Sequence, residues 1–312
     1  MTPQQIIGLD IGGTKIAVVE GTDDGRIVRR RQFPTATERG FDAVFAEIAH
    51  GVAEMISTTS QPPVALSVSV GGPLDVLQGV ILSPPNLPGW DRIPLKRLLA
   101  ERFRLPVYIE HDGNAGALAE WYFGAGRGAR SVVFLTMGTG LGAGLILDGR
   151  LYRGATDVAG EVGHVRIAED GPDCYGKSGS LEGYGSGTGI SRLAHMLHPQ
   201  RWPARPDMIA LSAAARAGDP DAIHVFAIAA RHFGRGLAMI ADTLNPERIV
   251  LGGLGMRLLD VLVEPALRVF REEALLRAAE VCSIVPAELG ESIGDIASLC
   301  AAYDQGNLLR KP

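Results

Sequence analysis

The sequence predicts a two-lobed α/β protein built by internal duplication, and three observations carry that prediction. Two stretches open alike, with apolar strands joined by a glycine turn: Asp10-Ile11-Gly12-Gly13-Thr14-Lys15 early in the chain and Thr136-Met137-Gly138-Thr139-Gly140-Leu141-Gly142 later. Helical periodicity and a further apolar strand follow each opening. The 40 glycines cluster beside these strands, where a backbone has to turn tightly or approach a ligand closely.

The first lobe begins with three strands in succession, Ile6 to Asp10, Lys15 to Glu20 and Arg26 to Gln32, separated by Gly-rich or Asp-Gly turns. Phe41, Val44, Ile48, Val52 and Met55 then recur at helical spacing, and the apolar run Val64 to Val70 reads as a buried strand. A helix over Leu95 to Arg102 leads into the strand Val107 to Glu110. The second lobe repeats the order. Strands Val132 to Thr136, Ala143 to Leu147 and Arg150 to Tyr152 form another meander, followed by a Gly-rich insertion and helices near Ser186 to Leu197 and Ala222 to Leu244. A strand Ile249 to Leu251, a helix through Val261 to Arg277, a strand Val281 to Pro286 and a last helix from Ile293 complete it. The expected division is a small lobe over 1–111, joined by the C-terminal helix at about 293–312, and a large lobe over 112–292, with a hinge near 111–113.

With 312 residues and 46% hydrophobic composition, the chain can bury two sizeable cores. A net charge of −5 without long like-charge runs gives no electrostatic support for a nucleic-acid or anionic-membrane partner. The longest basic cluster, Arg29-Arg30-Arg31, is short enough to be a solvated strand edge. No apolar stretch reaches the length of a membrane helix, and Met1 to Gln5 lacks the order of a signal peptide, so a cytoplasmic location is expected. Cys174, Cys282 and Cys300 are far apart and odd in number, which argues against a disulfide framework.

The chemistry concentrates in the turns. Gly12 and Gly13 let backbone amides point at a phosphate, Thr14 adds a hydroxyl, and Asp10 suits a Mg²⁺ held through water. The spacing is not that of a P-loop, and a structural hairpin with a surface aspartate is the competing reading. Gly138, Thr139 and Gly140 repeat the pattern, so that two turns can clamp a triphosphate from opposite sides. Gly252 and Gly253, after the strand Ile249 to Leu251, suit the nucleoside end, although such a turn is also ordinary loop chemistry. Asp112 stands where a strand ends and a helix begins; it can take the proton of an attacking hydroxyl, or it can simply cap the helix.

Taken together, Asp10-Ile-Gly-Gly-Thr-Lys15, the Asp112 turn with Asn114-Ala115, Gly138-Thr-Gly-Leu-Gly142 and Gly160-Glu161-Val162-Gly163-His164 resemble the ROK (repressor, open reading frame, kinase) sugar kinases, over essentially the whole chain. The resemblance implies an actin-like ATPase (ribonuclease H-like) fold, with ATP and Mg²⁺ between the lobes and a hexose near Asp112. It implies sugar contacts from Glu161, His164 and Glu182, with Gly72, Asn86 and His111 in the same set. Asp10, Gly12, Gly13, Thr14, Lys15, Gly138, Thr139, Gly140, Gly252 and Gly253 fall on the nucleotide side. A homodimer or a dimer of dimers is also implied.

Two departures from the family pattern matter. Where many members hold a structural zinc with a histidine and three cysteines, this chain has Asp173, Tyr175 and Ser180, with Cys174 one place off register. His164, Asp173 and Cys174 are a poor ligand set, so no zinc is expected, and hydrogen bonding and packing around Tyr175 and Tyr184 have to hold His164 and Glu182 instead. His111 replaces the asparagine usual before the catalytic aspartate; it is bulkier, and its two nitrogens point differently. The expectation is an ATP-dependent, glucokinase-like hexose kinase acting at the 6-hydroxyl, with a kinase for an amino sugar, an N-acetylamino sugar or fructose as the alternative and polyphosphate as an alternative donor. A repressor is disfavoured because the first phosphate strand begins within six residues, leaving no helix-turn-helix ahead of it, and a silent sugar-binding protein because the glycine turns and Asp112 are intact.

Overall fold

The computed structural model describes residues 3–309. The chain divides into two compact units, one of residues 1–123, 153–158 and 291–312 and one of 124–152 and 159–290.

The first unit opens with β1 (Gln5–Ile11), β2 (Lys15–Thr22) and β3 (Ile27–Pro34), then α1 (Phe41–Ser57), β4 (Ala65–Val70), the small hairpin β5 (Leu74–Asp75) and β6 (Val80–Ile81), α2 (Leu95–Phe103), β7 (Val107–His111) and α3 (Asp112–Phe123). Its sheet runs β3-β2-β1-β4-β7, antiparallel across β1 to β3 and parallel across β1, β4 and β7. The central strands are buried on both faces, which explains their unbroken apolar runs. Ile7, Leu9 and Ile11 pack with Val44, Ile48 and Val52 of α1 and Leu95 and Leu99 of α2.

The second unit contains β8 (Val132–Met137), β9 (Leu141–Leu147), β10 (Arg150–Leu151), a second small hairpin of β11 (Asp173–Cys174) and β12 (Lys177–Ser178), α4 (Glu182–Gly185), α5 (Gly187–Leu197), α6 (Met208–Arg216), α7 (Pro220–Leu244), β13 (Arg248–Leu251), α8 (Leu254–Arg257), α9 (Glu264–Glu273), α10 (Leu276–Val281) and β14 (Ser283–Pro286). The sheet order β10-β9-β8-β13-β14 repeats that of the first unit, directions included. Val133, Leu135 and Met137 face Ile190, Phe226, Phe233 and Phe270. Asp219 caps α7 by accepting the N–H groups of Asp221 and Ala222, both at 3.0 Å, with Pro220 at the first position where no N–H is needed.

The last helix, α11 (Ile293–Gln305), belongs to the first unit and covers the face of β1 opposite α1. Gly8 and Gly21 allow it to come close, since a Cβ at either would lie 2.2 Å from Ser298 or Leu299. The Tyr303 hydroxyl donates to the Thr22 carbonyl at 2.6 Å, and the Ser67 hydroxyl accepts the Ala302 N–H at 3.2 Å.

Two differences from the sequence reading have physical causes. The division falls after Phe123 and not at residue 111, because α3 packs on α11, with the rings of Tyr122 and Phe123 edge-on to Tyr303. The single helix expected over Val261 to Arg277 is interrupted: Ala274 and Leu275 are extended, and the Leu275 N–H is taken at 3.0 Å by Asp242 of α7. Among the described residues no helix is long and apolar enough to cross a membrane.

Candidate active site

In the first unit the β1–β2 turn closes when the Gly12 N–H donates to the Lys15 carbonyl at 3.0 Å, and the Thr35 hydroxyl braces it by donating to the Gly12 carbonyl at 2.6 Å. Thr14 and Lys15 are exposed at its tip. Asn86 lies directly against the turn, its carbonyl 2.5 Å from where a Cβ on Gly13 would stand, so only glycine fits. The Asn86 side chain approaches Gly71 on its other side.

Asp10, the last residue but one of β1, lies against Gly294 of α11. Its carboxyl is pushed up to about 6, by burial first and then by the carboxylates of Asp112 and Asp295, against the downward pull of Lys15 and Arg30. A carboxylate raised by burial and by two like charges favours a bound cation.

Asp112 opens α3 at the carboxyl end of β7, with its side chain 51% exposed. Its Oδ1 accepts the N–H of Gly113 at 2.7 Å and lies 3.3 Å from Nδ1 of His111, and that Nδ1 also accepts the Gly113 N–H at 3.2 Å. The His111 ring packs on Gly72, where a Cβ would lie 2.6 Å from Cδ2. Below them, fully buried Glu110 gathers donors from His111, Asn114, Arg153 and Gln305.

In the second unit the β8–β9 turn is closed by the Gly138 N–H donating to Gly140 at 2.9 Å, and Gly187 donates back to the Gly138 carbonyl at 2.8 Å. Gly138 and Thr139 line a cavity of about 600 Å³ with Thr188, Met208, Gly253 and Leu254. Arg205 and Arg257 also line it. Gly253 takes φ +57° there, and a Cβ on it would lie 2.1 Å from the Met137 carbonyl oxygen.

The insertion after β10 is held against β9 by glycine. A Cβ at Gly160 would stand 2.1 Å from the Ala143 carbonyl oxygen and one at Gly163 2.0 Å from that of Leu141, so the short turn bearing Glu161 and His164 lies flat on the strand. Both of those side chains are exposed, whereas Glu182 is buried and accepts the Leu141 N–H at 3.0 Å.

A model of the "ROK family" matches residues 6–302. The chain belongs to the ROK family. It is 31% identical over 329 aligned positions to a glucokinase of Halalkalibacterium halodurans, spanning 100% of this chain and 98% of that one. The ROK hexokinase of Thermus thermophilus has a similar structure, with a TM-score of 0.87 and 33% identity across 97% of this chain and 99% of that one. A ROK glucokinase of Streptomyces griseus, solved with glucose and AMPPNP, gives 0.77 and 31% over the same shares. The duplicated fold is accordingly the actin-like one.

Within this ROK chain, Asp10, Gly12, Gly13, Thr14, Lys15, Gly72, Asn86, His111 and Asp112 fall in the first unit and the other expected site residues in the second. The cavity wall includes Gly138, Thr139 and Gly253 but not Gly140 or Gly252, whose place is in the turns behind it. Sequence reasoning missed Arg205, Met208, Leu254 and Arg257, which α6 and α8 bring in, and it missed Arg153. The zinc-type segment is held by hydrogen bonds: Lys177 donates to the His164 carbonyl at 2.8 Å, Tyr184 to the Asp170 carbonyl at 2.8 Å, and Arg192 to the Asp173 carbonyl. The Tyr184 ring stacks on His232, 4.2 Å between centroids.

Proposed function

We propose that this protein is an ATP-dependent hexose kinase that transfers the γ-phosphoryl group of ATP to the 6-hydroxyl of a glucose-like sugar. The observation that carries the reading is the half-exposed Asp112 at the carboxyl end of β7, whose charge acts on the partly buried Asp10 beside a glycine turn. Asp112 accepts the proton of the attacking hydroxyl. The Gly12-Gly13 turn, with Thr14 and Lys15, and the Gly138-Gly140 turn, with Thr139, each offer backbone amides and hydroxyls suited to phosphate. Asp10 fits a water-bound Mg²⁺, which when bound supplies positive charge at the phosphate oxygens. The cavity beside Gly253 takes the nucleoside. Glu161, His164, Glu182, Asn86, Gly72 and His111 supply the donors and acceptors that a ring of hydroxyls needs once water is expelled.

A second reading rests on His111. Packed on Gly72, its imidazole presents its donor and acceptor in other directions than an asparagine amide would, which changes the pattern of sugar groups it can meet and makes an amino sugar, an N-acetylamino sugar, fructose or a different hexose epimer the alternative substrate. The deciding experiment is coupled ADP release with ATP and Mg²⁺ against glucose, mannose, fructose, allose, glucosamine, N-acetylglucosamine and N-acetylmannosamine, repeated with polyphosphate as donor. Asp112→Asn should abolish turnover and leave sugar binding largely intact; a variant near the wild-type rate would remove Asp112 as base. The reading also has the enzyme acting in the cytoplasm as a homodimer or dimer of dimers, which sedimentation velocity tests.

A further inference from the structure

We infer that Arg153 and the buried Glu110 form a positioning pair that fixes the turn carrying Asp112; the inference rests on the kinase reading above. Glu110 stands two residues before Asp112 and is fully buried. Its Oε1 accepts the His111 N–H and the Asn114 side-chain amide, both at 3.0 Å, and so grips the turn on either side of Asp112. Its Oε2 accepts Nε and Nη2 of Arg153 at 2.9 and 2.7 Å, and Nε2 of Gln305 at 3.3 Å. Five donors converge on this carboxylate, and the cost of burying it is offset when one of them is a cation. Arg153 is that cation, held in turn by Asp304 at 2.6 Å.

The path of the chain supports a dedicated role. After Tyr152 it leaves the second unit, runs through residues 153–158 as part of the first, and returns at Ala159, two residues before Glu161. Arg153 fastens one end of this detour to Glu110 and Asp304. Asp157 fastens the other by accepting the Val76 N–H at 3.1 Å. Arg153 reaches no atom of Asp112, so its effect passes through Glu110 to the backbone that sets the base.

The test uses the full chain carrying Arg153→Lys, Arg153→Ala, Glu110→Gln and the Arg153→Ala/Glu110→Gln double. Hexose kcat and KM are measured at saturating ATP and normalised to the folded fraction, and hexose Kd is measured by calorimetry without nucleotide. A displacement of about 1 Å at a reacting group costs on the order of 100-fold, so kcat should fall by roughly 10- to 100-fold while Kd stays within about 3-fold. Arg153→Lys should restore part of the rate, since lysine keeps the charge without the two-pronged grip. The double should lose no more than the worse single, as expected for two members of one pair. A folded Glu110→Gln or Arg153→Lys with wild-type kcat overturns the inference, as does an additive double; if Arg153→Ala does not fold, those two variants decide. Absence of hexose turnover in the wild type would instead count against the kinase reading.

Discussion

The Oε2 atom of Glu182 accepts the backbone N–H of Leu141 at 3.0 Å, and a Cβ on Gly140 would stand 2.9 Å from the same oxygen. A carboxylate assigned to the sugar therefore also braces the glycine turn assigned to phosphate. Glu182→Gln keeps an acceptor for that N–H, whereas Glu182→Ala leaves it buried and unpaired at a cost of about 1–3 kcal/mol. Glu182→Ala should accordingly lose stability and raise KM for both ATP and hexose, with Glu182→Gln affecting mainly the hexose. An unchanged ATP KM in a folded Glu182→Ala would break the link.

Asp10 makes stability depend on pH in an unusual direction. Its carboxyl is raised from 3.8 to about 6, so the folded state binds that proton more tightly than the unfolded one. The contribution is fully present below about pH 3.8 and is lost as pH rises through about 6, which at 1.36 kcal/mol per pKa unit amounts to roughly 3 kcal/mol. In EDTA, Asp10→Asn should melt higher than wild type at pH 7.5 and show little difference at pH 4, while losing turnover. Mg²⁺ should raise the wild-type Tm more at pH 7.5 than at pH 5. Equal Asp10→Asn shifts at both pH values would refute this account.

Gly163 should tolerate no side chain. A methyl group there meets the Leu141 carbonyl oxygen at 2.0 Å, and β9 backbone cannot move aside without disturbing the β8–β9 turn. Gly163→Ala is expected to cost about 1–3 kcal/mol, the usual penalty of overpacking, and to weaken hexose binding because Glu161 and His164, the proposed sugar ligands, flank it. Thermal melts and calorimetric titration with the sugar check both effects; a stable variant with unchanged Kd would contradict them.

Tyr175 and Gly176 form the two-residue loop between β11 and β12, at φ +51° and +69°. Both values positive describe a type I′ turn, which favours Asn-Gly. Tyr175→Asn should stabilise the protein by about 0.5–1 kcal/mol, since asparagine adopts the left-handed region more readily than tyrosine. A Tm at or below that of wild type would count against it.

Much of this architecture was legible because its signals are local. The three opening strands, the two glycine turns and the strand-to-helix step at Asp112 each announce themselves within about ten residues, through alternation, apolar runs or turn chemistry. What stayed hidden depends on distant partners. Helix α3 joins the first unit through Tyr303, and nothing near Phe123 announces that neighbour. Arg205, Met208 and Arg257 reach one cavity only after α6 and α8 have packed. Arg153 reads as an ordinary loop arginine until folding brings Glu110 and Asp304 to it.

The return of α11 to the first sheet bears on biosynthesis. On the ribosome, β1, β2 and β4 emerge early, yet the face that Ser298 and Leu299 will cover stays bare until more than two hundred further residues have been translated. At roughly 5–20 residues per second, that face is open to chaperones or to other nascent chains for on the order of ten seconds or more. Synthesis and docking of α11, not completion of the first half, is then the event that closes this face of the first unit.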